Sequence, residues 1–449
     1  MSVNETKSLT VNYLVALALF IFICFCAVLS WILPLIVLLT LSPLLFLSDK
    51  PDLSIFLWLN SLLYSNLFTA LLIYQLDPLA TSLLRGLDFI LLATLFLHYF
   101  TNYKKHRTKY FIFIALIIVY FFVGLVRTGF DAATIYLRMI LSFVFLSYIY
   151  LNLNNSISTH AIKTITLSLQ IFLIFNLLML LFITPTIDFF NIDEFLSRKY
   201  GMTIRADTFF DTRLFNSSYF SGINSFRFFG FTLHPISSGF FFALIFFWFY
   251  SSISRYKSAI FFSIISFLLC LSTFSKGSLV TLIATLFFLA VYKATKKKKL
   301  TLRLISLYAV LTFITFMAYG IAFKDPHTYS LIGSFNSFLG NPAGGGIGFG
   351  GSVFSGEIEV LDFSLVRGDS GLAVIMNMMG VVGLVIYYLI TRYTLINTID
   401  FRSSILFILM MIASIYQEEP LSAYAVAGLF LVMIKNKVNT GWQQTKGSI

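Results

Sequence analysis

The sequence predicts an all-α polytopic membrane protein with about 14 transmembrane helices. Three observations predict it. Of the 449 residues, 58% are hydrophobic and only 11% are charged, less than half the roughly 25% charged residues that cover a soluble domain. Mean hydropathy is +0.89. Runs of span length without Asp, Glu, Lys or Arg recur from one end of the chain to the other. A soluble enzyme, a secreted disulfide scaffold and a disordered chain are excluded on this composition.

The runs come in order. Residues 8–48 form an uncharged stretch of 41, long enough for two spans joined near Ser30 to Pro34. Further runs are 53–76, 89–103, 110–126, 139–162, 164–187, 228–254, 258–275, 277–292, 304–323, 370–391, 403–417 and 420–434. A span needs about 20 apolar residues. Hydrocarbon offers no partner for backbone N–H and C=O groups, so each run should be helical. Orientation follows the Lys and Arg of the loops. With 14 spans, the basic stretches at Lys104 to Lys109, at Arg255 and Lys257, and from Lys293 to Arg303 fall on one side. Lys7, Lys435, Lys437 and Lys446 fall there too, so both termini are expected in the cytoplasm and 20 of the 31 Lys and Arg serve orientation. These basic runs need no nucleic acid to explain them. No cleavable signal peptide is expected, because the first apolar run continues into a second span. Cys24, Cys26 and Cys270 lie in apolar runs without metal spacing and read as packing residues. The whole chain, 1–449, reads as a single integral membrane domain.

Two long connections are expected on the far side, residues 185–235 and 324–369. The first carries Arg198, Lys199, Arg205, Arg213 and Arg227 against Asp188, Asp193, Glu194, Asp207 and Asp211. The second carries Lys324, His327, Glu357, Glu359, Asp362 and Arg367. Loops this long are functional or disordered, and basic residues there run against the positive-inside bias. Five in one loop suggest an anionic ligand such as a lipid-linked phosphate; a solvated loop with internal ion pairs is the alternative. In the glycine stretch 341–351, Gly346, Gly348 and Gly351 match G-x-G-x-x-G, but that motif binds dinucleotides only between a strand and a helix. Here it reads as a mobile loop that closes over substrate. Arg85 and Asp88, three apart, are expected to pair along a helix face. Arg138 lies in an apolar stretch, where a charge faces the bundle interior or a wet cavity; it is a candidate for a substrate cavity.

Three segments carry a resemblance. The first is Arg227-Phe228-Phe229-Gly230-Phe231-Thr232-Leu233-His234-Pro235, leading to Gly239. The second is Leu271-Ser272-Thr273-Phe274-Ser275-Lys276-Gly277-Ser278. The third is Asp369-Ser370, nine residues, then Gly380-Val381-Val382-Gly383. Their order and spacing resemble the O-antigen polymerase (Wzy) family, within the O-antigen polymerase and ligase superfamily. The resemblance implies a GT-C-like glycosyltransferase of the bacterial inner membrane, acting at the periplasmic face on glycans carried by undecaprenyl pyrophosphate. The two long loops would then be periplasmic. Ligases place His where this chain has Asp369, which favours a polymerase. The second motif has Lys276 where the superfamily usually has Arg, keeping the charge but losing the bidentate fork.

The implied reaction joins repeat units, with undecaprenyl pyrophosphate leaving. Arg227 and Lys276 are the first candidates to bind the pyrophosphate, with Arg213, Arg205, Arg138 and Arg367 further substrate-binding candidates. Asp369 is the first candidate for the proton acceptor, with Glu357 and Glu418 as alternatives. His234 is a candidate to orient the glycan, or a helix cap. No cofactor and no metal are expected. Membrane lipid and a separate chain-length regulator are the expected partners, the latter from the resemblance alone. The rival readings are an O-antigen ligase, transferring glycan to lipid A–core, and a polysaccharide flippase or other transporter.

Overall fold

The computed structural model describes residues 3–47, 52–153, 159–200, 216–220, 223–253, 257–323, 326–351 and 370–446. Their regular secondary structure is helical apart from one antiparallel hairpin, β1 (Asn216–Phe220) with β2 (Ile223–Phe226), whose register shifts between Ser218 and Phe220. Among the described residues, eight helices are long and apolar enough to cross a membrane, or nine if one bent pair counts as a single span. That pair is α4 (Pro78–Arg85) and α5 (Leu87–Asn102), which meet at 47°. The bend falls between Arg85 and Asp88, so the two residues stand on different helices. Asp77 caps α4 by accepting from Ala80 N at 2.7 Å.

The chain divides into two compact units. The first comprises Met1–Tyr103, Asn152–Leu279 and Gly441–Ile449. It holds α1 (Val3–Leu29), α2 (Ile32–Leu47), α3 (Asp52–Leu71), α4, α5, α8 (Thr159–Leu181), α9 (Ile183–Phe189) and α10 (Ile192–Tyr200). The hairpin, α11 (Pro235–Tyr250), α12 (Lys257–Ser272) and the start of α13 (Lys276–Thr295) complete it. Its centre is α3, enclosed along nearly its whole length and packed on α1, α5 and α8. Phenylalanines fill the space around α8 and α11: Phe172 meets Phe231, Phe241 and Phe242, and Phe228 stacks on Phe242. With 53 Phe in the chain, aromatic area supplies much of the packing. Cys24, Cys26 and Cys270 are buried free thiols, in keeping with a packing role.

The second unit comprises Lys104–Leu151 and Val280–Thr440. It holds α6 (Arg107–Thr128), α7 (Phe130–Asn152), the rest of α13, α14 (Lys298–Phe323), α15 (Pro326–Gly340) and α16 (Gly371–Ile396). It continues through α17 (Phe401–Tyr416), a 3-10 turn at Glu419–Leu421 and α18 (Ala423–Lys446) as far as Thr440. One core is Ala284, Phe288, Ile305, Ile405 and Leu409. In another, Phe143, Phe407 and Phe430 pack ring on ring.

The glycine stretch departs from expectation. It is no free loop. Residues 341–351 are laid into the second unit and hydrogen-bonded to α6 and α16. Gly345 N donates to Asn377 O at 2.8 Å, Gly346 N to Met378 O at 2.9 Å and Ile347 N to Tyr120 O at 2.9 Å. Val381 N donates back to Pro342 O at 2.9 Å. Gly345 to Gly348 are buried. Helix α16 is interrupted to receive the segment: Gly380 has φ 55° and ψ −138°, a conformation open essentially to glycine alone. Non-helical backbone within an apolar bundle survives only where protein supplies its partners, and here the two interrupted strands of backbone supply each other's.

Candidate functional site

In the first unit, the first two motif segments come together. Phe228 N donates to Ser272 O at 2.9 Å, and Arg227 Nε donates to Thr273 O at 3.4 Å. The contact continues at Gly239 in the first turn and a half of α11. A Cβ there would stand 2.6 Å from Ser278 Oγ, 2.7 Å from Thr273 Oγ1 and 2.9 Å from Ser275 Cβ. Glycine at 239 therefore lets α11 lie directly on the second motif.

The first segment is pinned from three further sides. Asn66 Nδ2 of α3 donates to Thr232 O at 2.9 Å. Phe231 N donates to Asn176 Oδ1 of α8 at 3.0 Å. Thr232 Oγ1 and Ser238 Oγ lie 2.7 Å apart, and Ser238 Oγ donates to Phe229 O. Left-handed turns at Gly230 and Leu233 set up the entry to α11, and one at Phe274 sets up the entry to α13. Arg227 is thus half-buried on a fixed backbone, and Lys276 is exposed as the first residue of α13. Helix N-termini carry partial positive charge and unsatisfied N–H groups. The segment that carries Arg227 leads into α11, and Lys276 opens α13.

His234 caps α11. Its Nδ1 accepts from Ser237 N at 3.3 Å and lies 3.2 Å from Ser237 Oγ, with Pro235 in the first turn where its missing N–H costs nothing. An acceptor Nδ1 carries no proton, so the neutral ring keeps its proton on Nε2. Arg198, one of the loop cations, serves structure: it pairs with Glu194 at 2.7 Å and donates to Ile73 O at 3.0 Å.

In the second unit, the third motif starts and then breaks α16. Ser370 Oγ caps the helix by accepting from Ala373 N at 2.9 Å. Gly371 N donates to Gln417 O at 3.0 Å, tying that start to the end of α17. Gly380, the first glycine of the third motif, is the break itself. Glu418 follows Gln417, and its Oε2 accepts from Tyr136 OH of α7 at 3.3 Å. The Tyr136 ring packs against Gly351, the end of the glycine segment. Arg138 stands two residues further along α7. A small apolar cavity of about 30 Å³ follows, lined among others by Met139, Phe143, Ile375, Met379, Tyr387 and Leu421. Its lining begins one residue after Arg138 and three after Glu418.

Asp369, Glu357, Arg367, Arg205 and Arg213 lie outside the described residues. Of the remaining candidates, the first unit holds Arg227, Lys276 and His234 on its two packed motif segments, and the second holds Arg138 and Glu418. Sequence reasoning missed Tyr136 and Asn377, partners that reach Glu418 and the glycine segment from distant points of the chain. No protein-family model, curated protein or solved structure matches this chain.

Proposed function

We propose that this chain is an integral-membrane glycosyltransferase of the O-antigen polymerase type, working at the periplasmic face of the bacterial inner membrane. The observation that carries the reading is the packing of the first and second motifs into one site through Gly239, with Arg227 and Lys276 beside two helix N-termini. Such a pair of cations beside the positive ends of two helices suits a diphosphate.

In the proposed reaction a sugar hydroxyl of an incoming lipid-linked unit attacks the anomeric carbon of the growing glycan. The new C–O bond forms as the bond from that carbon to the pyrophosphate oxygen breaks. The hydroxyl proton passes to a carboxylate, Asp369 in first place, with Glu357 or Glu418 as alternatives. Negative charge grows on the departing undecaprenyl pyrophosphate, where fixed cations lower the barrier. Arg227 and Lys276 take that role, with Arg138, Arg205, Arg213 and Arg367 as further contacts. His234 acts as the cap that holds α11 in place.

A second reading has one observation in its favour. Interrupted helices with unwound backbone inside the bundle are a hallmark of transporters, and α16 is interrupted at Gly380. Deleting the gene and resolving lipopolysaccharide by size separates the readings. Loss of a polymerase leaves core bearing a single repeat unit. Loss of a flippase or ligase leaves bare core, and bare core would overturn the proposal.

A further inference from the structure

Helix α3 carries a set of buried polar atoms that no described residue answers. Asn60 is fully buried, and neither its Oδ1 nor its Nδ2 has a hydrogen-bond partner among the described residues. The same holds for Ser61 Oγ, on a residue with no exposed surface, and Ser65 Oγ, on a residue 2% exposed. All three lie in the middle of a 20-residue helix. At 1.5 Å per residue, Asn60 and Ser65 stand about 12 and 20 Å from its start, well inside the hydrocarbon thickness. Ser61 and Ser65, four apart, share a face. The next residue, Asn66, is satisfied: it holds Thr232 O of the first motif segment.

Buried polar groups are answered by protein, by water or by a ligand. The kind of ligand follows from the atoms. Asn60 Nδ2 needs an acceptor, so a metal ion alone cannot serve it. Asn60 Oδ1 needs a donor, so an anion cannot serve it either. The serine hydroxyls do both. A full enclosure excludes a bulky partner such as a sugar. We propose that α3 holds ordered water in the interior of the first unit, bound at Asn60 and along the face shared by Ser61 and Ser65. The proposal is independent of the glycosyltransferase reading.

Radiolytic hydroxyl-radical labelling of the native protein tests it, because bound water generates radicals in place. Tyr64 stands one turn after Asn60. Tyr110, fully buried and bonded to Ser147 at 2.6 Å, is the dry reference. Tyr64 is expected to label several-fold faster than Tyr110, and Asn60→Leu is expected to abolish that excess. The same variant is expected to lower Tm by about 2 °C or more, since the water would lose its anchor. If the leucine variant does not fold, the Ser61→Ala/Ser65→Ala pair replaces it with the same expectation. Equal labelling of Tyr64 and Tyr110 overturns the proposal, as does labelling unchanged in the variants. A raised Tm in Asn60→Leu also overturns it, because removing unanswered polar groups from a dry site stabilises. Exchanging sodium for choline is expected to change nothing; sodium-dependent stability would point to a cation and overturn the water assignment.

Discussion

Gly380→Ala should disrupt the second unit where the glycine segment enters α16. At φ 55° and ψ −138° an alanine is strained, and its Cβ would overlap Pro342 O and stand 2.7 Å from Ala343 C. Both obstacles are backbone, so no side-chain rotation relieves them. Relief requires the segment to withdraw, and with it the bonds from Val381 N to Pro342 O, Gly346 N to Met378 O and Gly345 N to Asn377 O. Strain of about 1–3 kcal/mol and about 1 kcal/mol for each of the three bonds lost give about 4–6 kcal/mol together. A domain of 150–250 residues loses roughly 2–4 °C per kcal/mol, so Tm should fall by about 15 °C. The assay is thermal unfolding of purified protein in detergent, with Gly340→Ala as the control, because nothing lies within 4 Å of a Cβ there. If Gly380→Ala melts within 2–3 °C of that control, the segment does not hold α16 in the manner described.

Arg227→Ala should abolish long glycan chains while the protein still reaches the membrane, and Arg227→Lys should restore only part of the activity, since a lysine cannot reproduce the guanidinium fork; the lipopolysaccharide ladder beside an immunoblot checks both. Asp369→Ala should abolish long chains in the same assay, and a normal ladder would remove it from the proton-acceptor role. Tyr136→Phe removes the 3.3 Å bond to Glu418 and should cost about 0.5–1.5 kcal/mol of stability, read as a small fall in Tm; if Glu418 is the base, the pH dependence of chain extension should shift as well. His106 lies outside the spans and stacks on Tyr393; burial first, then Lys105 and Lys109, hold its pKa below the usual 6.5. The neutral ring is favoured in the fold, so this contribution is complete above about pH 6.5 and lost as pH falls through the lowered value. Tm measured from pH 8 to pH 5 should therefore decline at the acid end, and His106→Gln should flatten that decline.

The apolar runs were legible because lipid leaves the backbone one option at each. Residues 110–126 became α6, 304–323 became α14 and 370–391 became α16. Short elements were not legible: α9, α10 and α15 lie in stretches whose charge and glycine content read as loop. The glycine segment was misread for a different reason. Its partners, Tyr120, Asn377 and Met378, lie 30 to more than 200 residues away, and no local periodicity reports a pairing of that range. The available signal was the coincidence of two glycine patterns, 344–351 and the pair Gly380 and Gly383. Each looks incidental alone, while together they mark two backbones that approach without side chains between them. At the candidate site, the sequence singles out Arg227 and Lys276 through the motif segments that carry them and Glu418 as an alternative carboxylate. It could not tell that Arg198, equally prominent by charge, is committed to Glu194 and Ile73 O.

Charge alone also hides what the three motifs have in common, which is that each one begins a helix. His234 caps α11, Lys276 opens α13 behind the left-handed Phe274, and Ser370 caps α16. A helix start offers aligned N–H groups and about half a positive charge at no cost in conformational entropy when the ligand arrives. In a membrane this matters more than in water, because each additional lysine or arginine near hydrocarbon costs desolvation. Under the proposed function, a chain with only 11% charged residues would present an electropositive surface to a diphosphate with few side-chain cations, provided helix starts are set beside them. That proposal would account for motifs that combine a cation or a capping side chain with glycine a few residues on. The cap fixes the start of the helix, and the glycine, Gly239 against the second motif or Gly380 against Pro342, fixes where that helix lies.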